Sequence, residues 1–259
     1  MNISTIGFIG SGRVARIILK GFKRSGIVFP SVIASDKDTD NLRKLKEFIP
    51  EVFTVENDNT QPASQDIVFM GLHPPVMLEV LKEIQPYLKL HTILISLAPK
   101  LTIAKLSEAA GGFMRIVRTI PNAPSIINKG YNPIAFSKMF TDNEKKQIIT
   151  WFSALGDCPE VDEAKLEAYA ILTAMGPTYL WFQLYELQEI SKTFGLSAAE
   201  VQSGITKMME GAVATMYKSG FTPDEVMDLI PVKPLETEEE YIKNAYKEKL
   251  EALYKILKG

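Results

Sequence analysis

The sequence has few of the residues that build disulfide frameworks, metal sites or nucleic-acid surfaces. Cys158 is its only cysteine, and His73 and His91 are its only histidines, so an internal disulfide is excluded and zinc ligands are scarce. The 29 basic and 31 acidic side chains give a net charge of -2, without the basic excess of proteins that bind nucleic acid or anionic membranes. We therefore expect a cytoplasmic protein that acts on a small molecule, with no metal and no nucleic-acid partner.

Long apolar runs are scarce as well, apart from one segment. Residues 168–185 contain no charged side chain and approach the length that crosses a bilayer, but they include Gly176-Pro177, Gln183 and several hydroxyl groups. Tight packing in a protein core explains this composition better than contact with lipid does. The N-terminus has no basic stretch followed by a long apolar one, so the sequence predicts neither a signal peptide nor a membrane partner.

The first 160 residues alternate between short apolar runs and amphipathic stretches. The runs predicted to form buried strands are Ile6–Ile9, Val32–Ala34, Ile67–Leu72, Thr92–Leu97 and Met114–Ile120. Helical spacing of apolar residues is found at Arg13–Arg24, Pro75–Leu88, Ile103–Ala109 and Thr141–Leu155. Strands that alternate with helices indicate an α/β fold in which helices cover a mainly parallel sheet.

The strand signals end after Asp162, and helical patterns follow near residues 163–194, 197–218, 223–229 and 238–257. We therefore predict two domains, an α/β domain at residues 1–160 and an all-helical domain at residues 161–259. Because the uncharged segment offers more apolar surface than one small helical domain readily hides, we expect the second domain to form a homodimer.

The most specific local signal is the stretch Gly10-Ser11-Gly12-Arg13-Val14-Ala15, which follows an apolar strand and precedes an amphipathic helix. In this context Gly10 permits a tight turn, Gly12 lets the backbone approach a pyrophosphate, and Ala15 permits close packing of helix and strand. The amides at the start of the helix then meet the phosphate charge. The stretch indicates a Rossmann domain that binds NADP or NAD.

The second predicted strand is followed by Ser35-Asp36-Lys37, where a Rossmann domain presents the side chain that recognises the adenosine ribose. Asp36 suits the hydroxyl groups of NAD, whereas Ser35 and Lys37 suit the extra phosphate of NADP. A solvated polar turn is the alternative interpretation. The sequence therefore leaves NADP and NAD both open.

Three segments in order resemble the pyrroline-5-carboxylate reductase family: GFIGSGRVA at 7–15, RTIPNAP at 118–124 and AMGPTYLWF at 174–182. That family follows its dinucleotide motif with an RVMPNTP-like segment and an SGSGPAY-like helix. The resemblance implies a Rossmann domain, a helical domain that intertwines in a dimer, and hydride transfer from the reduced form of the cofactor NADP, with NAD possible, to a cyclic imine.

Further candidate residues are carried over from the resemblance by position. Leu72-His73-Pro74 matches a VKP-like turn beside the cofactor, although the family lysine is missing and His73 has an equal interpretation as an ordinary loop residue. Ser96 and Ala98 are expected near the nicotinamide, and Asn122 is expected beside both the cofactor and the substrate. Met175, Gly176 and Thr178 are candidates for substrate contacts, and Met175 replaces a family serine.

The sequence departs from the family where a TSPGGTT-like loop would hold the substrate carboxylate. Residues 229–237 read LIPVKPLET instead, without the glycines and with few hydroxyl groups. Lys233 is a candidate replacement for the lost donors, or simply a solvated lysine. The resemblance implies reduction of a C=N bond, or less favourably a C=O bond, and the departure in this loop leaves open whether the substrate is pyrroline-5-carboxylate or another compound.

Neither the catalytic residue nor the proton donor is identified by the sequence, although Thr173, Thr178 and Tyr179 are candidates. One alternative function is that of a β-hydroxyacid dehydrogenase, but the lysine that such enzymes use is absent from residues 170–187. Another is a non-catalytic regulatory protein that kept its nucleotide site after losing the substrate loop. Turnover of an imine distinguishes the enzyme from the regulator.

Overall fold

The computed structural model describes residues 5–258, which form strands and helices in the following order. The strands are β1 (Ile6–Ile9), β2 (Val32–Asp36), β3 (Phe53–Glu56), β4 (Ile67–Met70), β5 (Ile93–Ser96), β6 (Ile116–Thr119), β7 (Gly130–Tyr131), β8 (Ile134–Phe136) and β9 (Gly156–Asp157). The helices are α1 (Arg13–Arg24), α2 (Thr39–Phe48), α3 (Thr60–Ala63), α4 (Pro74–Ile84), α5 (Ile103–Ala109), α6 (Asp142–Phe152), α7 (Leu166–Tyr169), α8 (Gly176–Thr193), α9 (Ala198–Lys218), α10 (Pro223–Asp228) and α11 (Glu239–Lys258).

Seven strands form the main sheet in the order β3-β2-β1-β4-β5-β6-β8, and only β8 pairs antiparallel, with β6. The chain runs outward from β1 to β3 and then crosses to β4 on the other side of β1. This reversal makes the carboxyl ends of β1 and β4 the topological switch point, where open α/β sheets bind ligands.

Apolar side chains cover both faces of the sheet and form two cores. One face packs against α1 and α6, with Ile18, Phe22 and Phe152 in its centre. The opposite face packs against α4 and α5 through Met77 and Leu106, among others. The result is the Rossmann-type three-layer arrangement that the alternation of strands and helices predicts.

Most predicted elements of the first half are confirmed, with α1 and α5 ending at the predicted residues. Thr141 is the N-cap of α6 in a capping box with Glu144, as its position before two acidic residues indicates. β4 is shorter than predicted, because the chain turns at Gly71 instead of continuing to Leu72.

Several elements are not predicted from the sequence, namely α2, α3, β3, β7, β8 and β9. Helix α2 is mostly charged and buries only Leu42 and Leu45, so it shows little apolar periodicity. Its helical form is supported instead by the Asp38 N-cap and by ion pairs that join Arg43 to acidic residues one turn away. Strand β3 lies at the sheet edge with exposed ends, and β8 has three residues, so neither gives a strong pattern.

The second half is helical, and the predicted helices are found as α8, α9, α10 and α11. One difference lies ahead of α8, where the predicted continuous helix begins as a short α7 and then a π-helical turn, Ala170–Ala174. By packing, the chain separates into a unit up to Met175 that includes the last turn from Tyr254, and a helical unit, Gly176–Leu253. The domain boundary near residue 160 stays a prediction.

Residues 168–185 lie within α7, the π-helical turn and α8. None of the helices in the described part of the chain is long and apolar enough to cross a membrane.

Candidate functional site

The turn after β1 meets the turn after β4 at the switch point. The Gly10 amide donates to the Ser35 carbonyl at 2.9 Å, and the Gly71 amide donates to the Ile9 carbonyl at 2.8 Å. Gly10 has a φ of 91°, and a Cβ atom on it would lie 2.7 Å from the Gly71 carbonyl oxygen. Glycine is therefore required at position 10 for both conformation and space.

Gly12 lies next to this turn and differs from Gly10 in having open space beside it. It is the N-cap of α1, and a Cβ atom placed on it meets no atom within 4 Å. The first amides of α1, beginning with exposed Arg13 and half-buried Val14, are available to an anion because a helix start leaves them without helical acceptors. Open space beside positively polarised amides fits the pyrophosphate of a dinucleotide.

Asp36 ends β2 and faces the same turn. Its Oδ2 accepts hydrogen bonds from the Ser11 amide at 2.9 Å and from the Ser11 hydroxyl at 3.1 Å. The hydroxyl of Ser35 is buried and donates to Oδ1 of Asn59 at 2.7 Å, which directs it away from the turn. Lys37 is exposed. Of the residues predicted to recognise the adenosine ribose, Asp36 thus places its carboxylate at the glycine turn and Lys37 is solvated.

The residues after β4 and β5 border the same edge of the sheet. His73 is the exposed N-cap residue of α4, Leu72 is half-buried, and Pro74 takes the first helical position, where a missing amide hydrogen costs nothing. Ser96 is buried, and its hydroxyl donates to Sδ of Met77 at 3.6 Å, so it faces α4. Ala98 is buried in the loop that follows β5.

Asn122 supports the turn after β6 through its own side chain. Its Nδ2 donates to the Thr173 carbonyl in the π-helical turn at 3.1 Å, and its Oδ1 accepts from the Tyr131 amide at 3.1 Å. Asn132, which the sequence analysis missed, accepts from the Ser125 hydroxyl at 2.8 Å and closes the turn from the other side. The geometry therefore shows Asn122 tying together three stretches of chain.

In the helical unit, Thr178 and Tyr179 line a groove of about 540 Å³ between α8 and α11. Tyr246 lies across the groove, with its ring centroid 5.8 Å from that of Tyr179 in an edge-on arrangement. Burial, and after it the nearby Tyr246, raises the pKa of Tyr179 above its ordinary value, so its phenol stays protonated at neutral pH. Gly176 begins α8, and Met175 immediately precedes it, half-buried.

Lys233 lies in a second groove of about 520 Å³ together with Glu239 and Lys243. Nζ of Lys243 pairs with Oε1 of Glu239 at 2.6 Å, and this hydrogen bond lowers the pKa of the Glu239 carboxyl. Exposed Lys233 therefore lies near charges of both signs at the start of α11.

Cys158 is unsuited to act as a nucleophile because of its burial. The thiol is buried, and burial raises its pKa to about 12. At neutral pH almost none of it is thiolate, the form that attacks an electrophile.

Arg118 is a buried charged residue that was not singled out from the sequence, although it begins the segment RTIPNAP at 118–124. It interrupts the apolar strand β6, and its side chain is 1% exposed and paired with Glu163 and Glu167. A charge inside an otherwise buried strand is the signal that marks it.

The chain is similar in sequence and in structure to proteins of known function. Residues 5–100 match the family described as "NADP oxidoreductase coenzyme F420-dependent". The pyrroline-5-carboxylate reductase of Pisum sativum is 27% identical over 224 residues, which cover 86% of this chain and 81% of that protein. The structure of a pyrroline-5-carboxylate reductase from Coxiella burnetii is 26% identical, with a TM-score of 0.69 over 99% of this chain and 95% of the other.

A further solved structure supports the fold. The Plasmodium falciparum pyrroline carboxylate reductase with NADP bound is 23% identical, and it superposes with a TM-score of 0.81 over 100% of this chain and 98% of the other. The sheet order, the glycine turn at its switch point and the similarity along most of the sequence agree with one another. The chain is therefore similar in sequence and in fold to pyrroline-5-carboxylate reductases along most of its length.

Proposed function

We propose that this protein transfers a hydride from NADPH or NADH to the C=N bond of a cyclic imine, and that its preferred imine differs from pyrroline-5-carboxylate. The observation that carries the proposal is the open space beside Gly12, at the start of α1 and at the switch point of the sheet. The names of the relatives that cover most of the chain support the reaction class.

We assign the pyrophosphate to the turn Gly10-Ser11-Gly12 and to the first amides of α1, where the open space beside Gly12 adjoins those amides. Asp36 is assigned to the hydroxyl groups of the adenosine ribose, which its carboxylate suits, and the positive charge of exposed Lys37 is assigned to the extra phosphate of NADPH. Bound reduced nicotinamide supplies the hydride.

The remaining candidates are assigned to the edge of the sheet and to the substrate. Leu72, His73 and Pro74 follow β4, and Ser96 and Ala98 follow or end β5, so these two turns border the cofactor in the proposal. Asn122 holds the turn after β6 against Thr173. These residues orient the reacting pair and exclude water, which lowers the barrier by positioning.

Proton delivery to the imine nitrogen falls to a weakly acidic group or to water, because the candidates are hydroxyl groups rather than a strong base. Tyr179 keeps its proton at neutral pH, so it serves as a hydrogen-bond donor. An imine that is already protonated has no free lone pair on its nitrogen, so it donates a hydrogen bond to an acceptor such as the phenol oxygen.

The loop at residues 229–237 supports a change of substrate. Val232 and Leu235 are 72% and 66% exposed, and they replace the small and hydroxyl-bearing residues expected from the resemblance. A small carboxylate needs several convergent donors, and this loop offers Lys233 beside Glu239. We therefore propose a substrate with less anionic character than pyrroline-5-carboxylate.

The test is a screen of the purified protein against cyclic imines and keto acids with each reduced cofactor, followed by the loss of nicotinamide absorbance. Steady oxidation of NADPH or NADH that depends on an imine is the expected result. Tight cofactor binding without turnover of any imine would identify a regulatory protein instead. Turnover confined to keto acids or hydroxy acids would favour a dehydrogenase.

We also propose that the helical unit forms a homodimer and that the protein acts in the cytoplasm. Phe182, Tyr185 and Tyr217 are 68%, 66% and 79% exposed in this unit, and a second copy would cover such a surface. The cytoplasmic location rests on the single cysteine, which suits a reducing compartment.

A further inference from the structure

A cluster of three charged residues, two of them buried, lies in the α/β unit outside the candidate contacts described above. Nη1 of Arg118 lies 2.9 Å from Oε1 of Glu163, and its Nη2 lies 2.7 Å from Oε1 of Glu167. The side chains are 1%, 31% and 8% exposed in the order Arg118, Glu163, Glu167. Nε of Arg118 is also buried and donates to no acceptor among the described residues.

Such a cluster is a poor source of stability. Removing charges from water costs several kcal/mol per ion in real proteins, and well-packed apolar residues often replace a buried ion pair without loss. The two carboxylates also exceed the single guanidinium by one charge. The cluster therefore calls for an explanation other than the free energy of folding.

The same two carboxylates hold the loop that follows β5. Oε1 of Glu167 accepts from the Lys100 amide at 3.1 Å, and Oε1 of Glu163 accepts from the Ile103 amide at 2.5 Å, where α5 begins. Lys100 has a φ of 78°, a left-handed conformation that is unfavourable for a residue with a Cβ atom. The hydrogen bonds to Glu163 and Glu167 therefore hold the loop in a conformation that Lys100 does not favour by itself.

The cluster is also connected to the π-helical turn and to Asn122. Glu163 and Glu167 precede the π-helical turn Ala170–Ala174, and Thr173 in that turn accepts from Asn122. Arg118 itself lies in β6, four residues before Asn122. The ion pairs of Arg118 therefore link strand β6 to the segment that holds both the loop after β5 and the turn after β6.

We propose that Arg118, acting with Glu163 and Glu167, is a positioning residue that locks the loop 97–103 into one arrangement for hydride transfer. The inference rests on the proposed function, because it takes the carboxyl end of β5 as the border of the nicotinamide. Arg118 touches neither cofactor nor substrate in this account. It acts through the strained Lys100 and through the turn held by Asn122.

The first test measures amide hydrogen exchange in the loop 97–103, with Glu167→Leu as the disrupting variant and Arg118→Lys as a milder one. Both variants should exchange the Lys100 and Ile103 amides about tenfold faster, while amides of β1 stay unchanged. Asp162→Asn is the matched control, because Asp162 lies in the same segment but pairs only on the surface, with Lys165. Unchanged exchange in the loop, or equal acceleration throughout the sheet, would overturn the proposal.

The second test separates positioning from simple stabilisation by using the full-length protein and both reduced cofactors. NADPH or NADH should slow exchange in the loop of the wild type, and Glu167→Leu should lose this protection while binding the cofactor within about threefold of wild type. With an imine that the wild type reduces, kcat should fall about tenfold or more at nearly constant KM. Glu167→Gln, which keeps an oxygen acceptor for the Lys100 amide, should recover part of kcat.

A wild-type protein that reduces no imine would refute the proposed function but would still give a result here. In that case, protection of the loop by NADPH or NADH in the wild type, and its loss in Glu167→Leu, would support the positioning role. Absence of protection by either cofactor would overturn it. A rise in KM and a loss of cofactor affinity that follow the fall in melting temperature would also overturn it, since that pattern indicates only a structural role.

Discussion

The α/β unit and the helical unit bury their apolar side chains to very different degrees. The α/β unit has two cores whose central residues, such as Phe22 and Met77, are fully buried. Among the described residues of the helical unit, Val201 alone is buried, while Phe182 and Tyr217 are more than half exposed. The first unit thus has a buried apolar interior, whereas the second leaves large apolar side chains exposed, which is the observation behind the proposed homodimer.

This contrast matches the division of chemical work that we propose. The proposed nucleotide turn is built from backbone geometry that the sheet supports, so it depends on the unit with the two buried cores. The substrate candidates Thr178 and Lys233 lie in the unit with exposed apolar grooves. Cofactor binding should therefore be robust, and substrate choice should be the property that differs from relatives.

The largest expected effect concerns the substrate loop of the helical unit. Catalytic efficiency on pyrroline-5-carboxylate should be about a hundredfold or more below that on the preferred imine, because charge-assisted hydrogen bonds contribute about 1.5 to 3 kcal/mol each and at least two are missing. Steady-state kinetics on both substrates measures the ratio. Lys233→Ala should raise KM for anionic imines and leave neutral ones unchanged. Equal efficiencies would show that the loop does not set the substrate.

The next effect concerns the exposed apolar surface itself. Phe182→Glu should weaken the homodimer about thirtyfold, because an apolar anchor at an interface contributes about 2 kcal/mol or more. Sedimentation at several protein concentrations measures the dissociation constant. Leu90→Glu is the matched control, since Leu90 is 95% exposed on the α/β unit and its change should leave the dimer intact. A wild-type monomer at micromolar concentration contradicts the proposed dimer.

A smaller effect compares two glycines of the nucleotide turn. Gly12→Val should weaken NADPH binding by more than about tenfold with little change in melting temperature, because the new side chain fills the open space beside α1. Gly10→Ala should instead destabilise the fold, since its Cβ atom would meet the Gly71 carbonyl and its φ is 91°. Fluorescence titration and thermal unfolding measure the two properties. Full NADPH affinity in folded Gly12→Val would remove the main support for the cofactor site.

The smallest effect distinguishes the two cofactors. Lys37→Glu should weaken NADPH about threefold more than NADH, because an exposed lysine contributes about 1 kcal/mol or less to an ionic contact and only NADPH carries the extra phosphate. The two dissociation constants, measured at the same ionic strength, give the ratio. An equal loss for both cofactors would place Lys37 away from the ribose.

The parts that the sequence predicts are those specified locally. The turn at Gly10 and the helix after it are determined by a short motif whose glycine has a steric reason, and the capping box at Thr141 is equally local. The contacts that sequence reasoning missed join distant positions. Glu167 lies 49 residues from Arg118, and Asn59 lies 24 residues from Ser35, so their pairing depends on the assembled sheet.

The central claim is that nicotinamide delivers a hydride to a C=N carbon in this protein. The most direct measurement uses NADPH or NADH labelled with deuterium on each face of nicotinamide C4, with mass spectrometry of the product amine from the best imine of the screen. The account predicts that one of the two labelled cofactors transfers a single deuterium to the carbon of the former C=N bond. Unlabelled product from both, or no reduction of any imine despite tight cofactor binding, would contradict it.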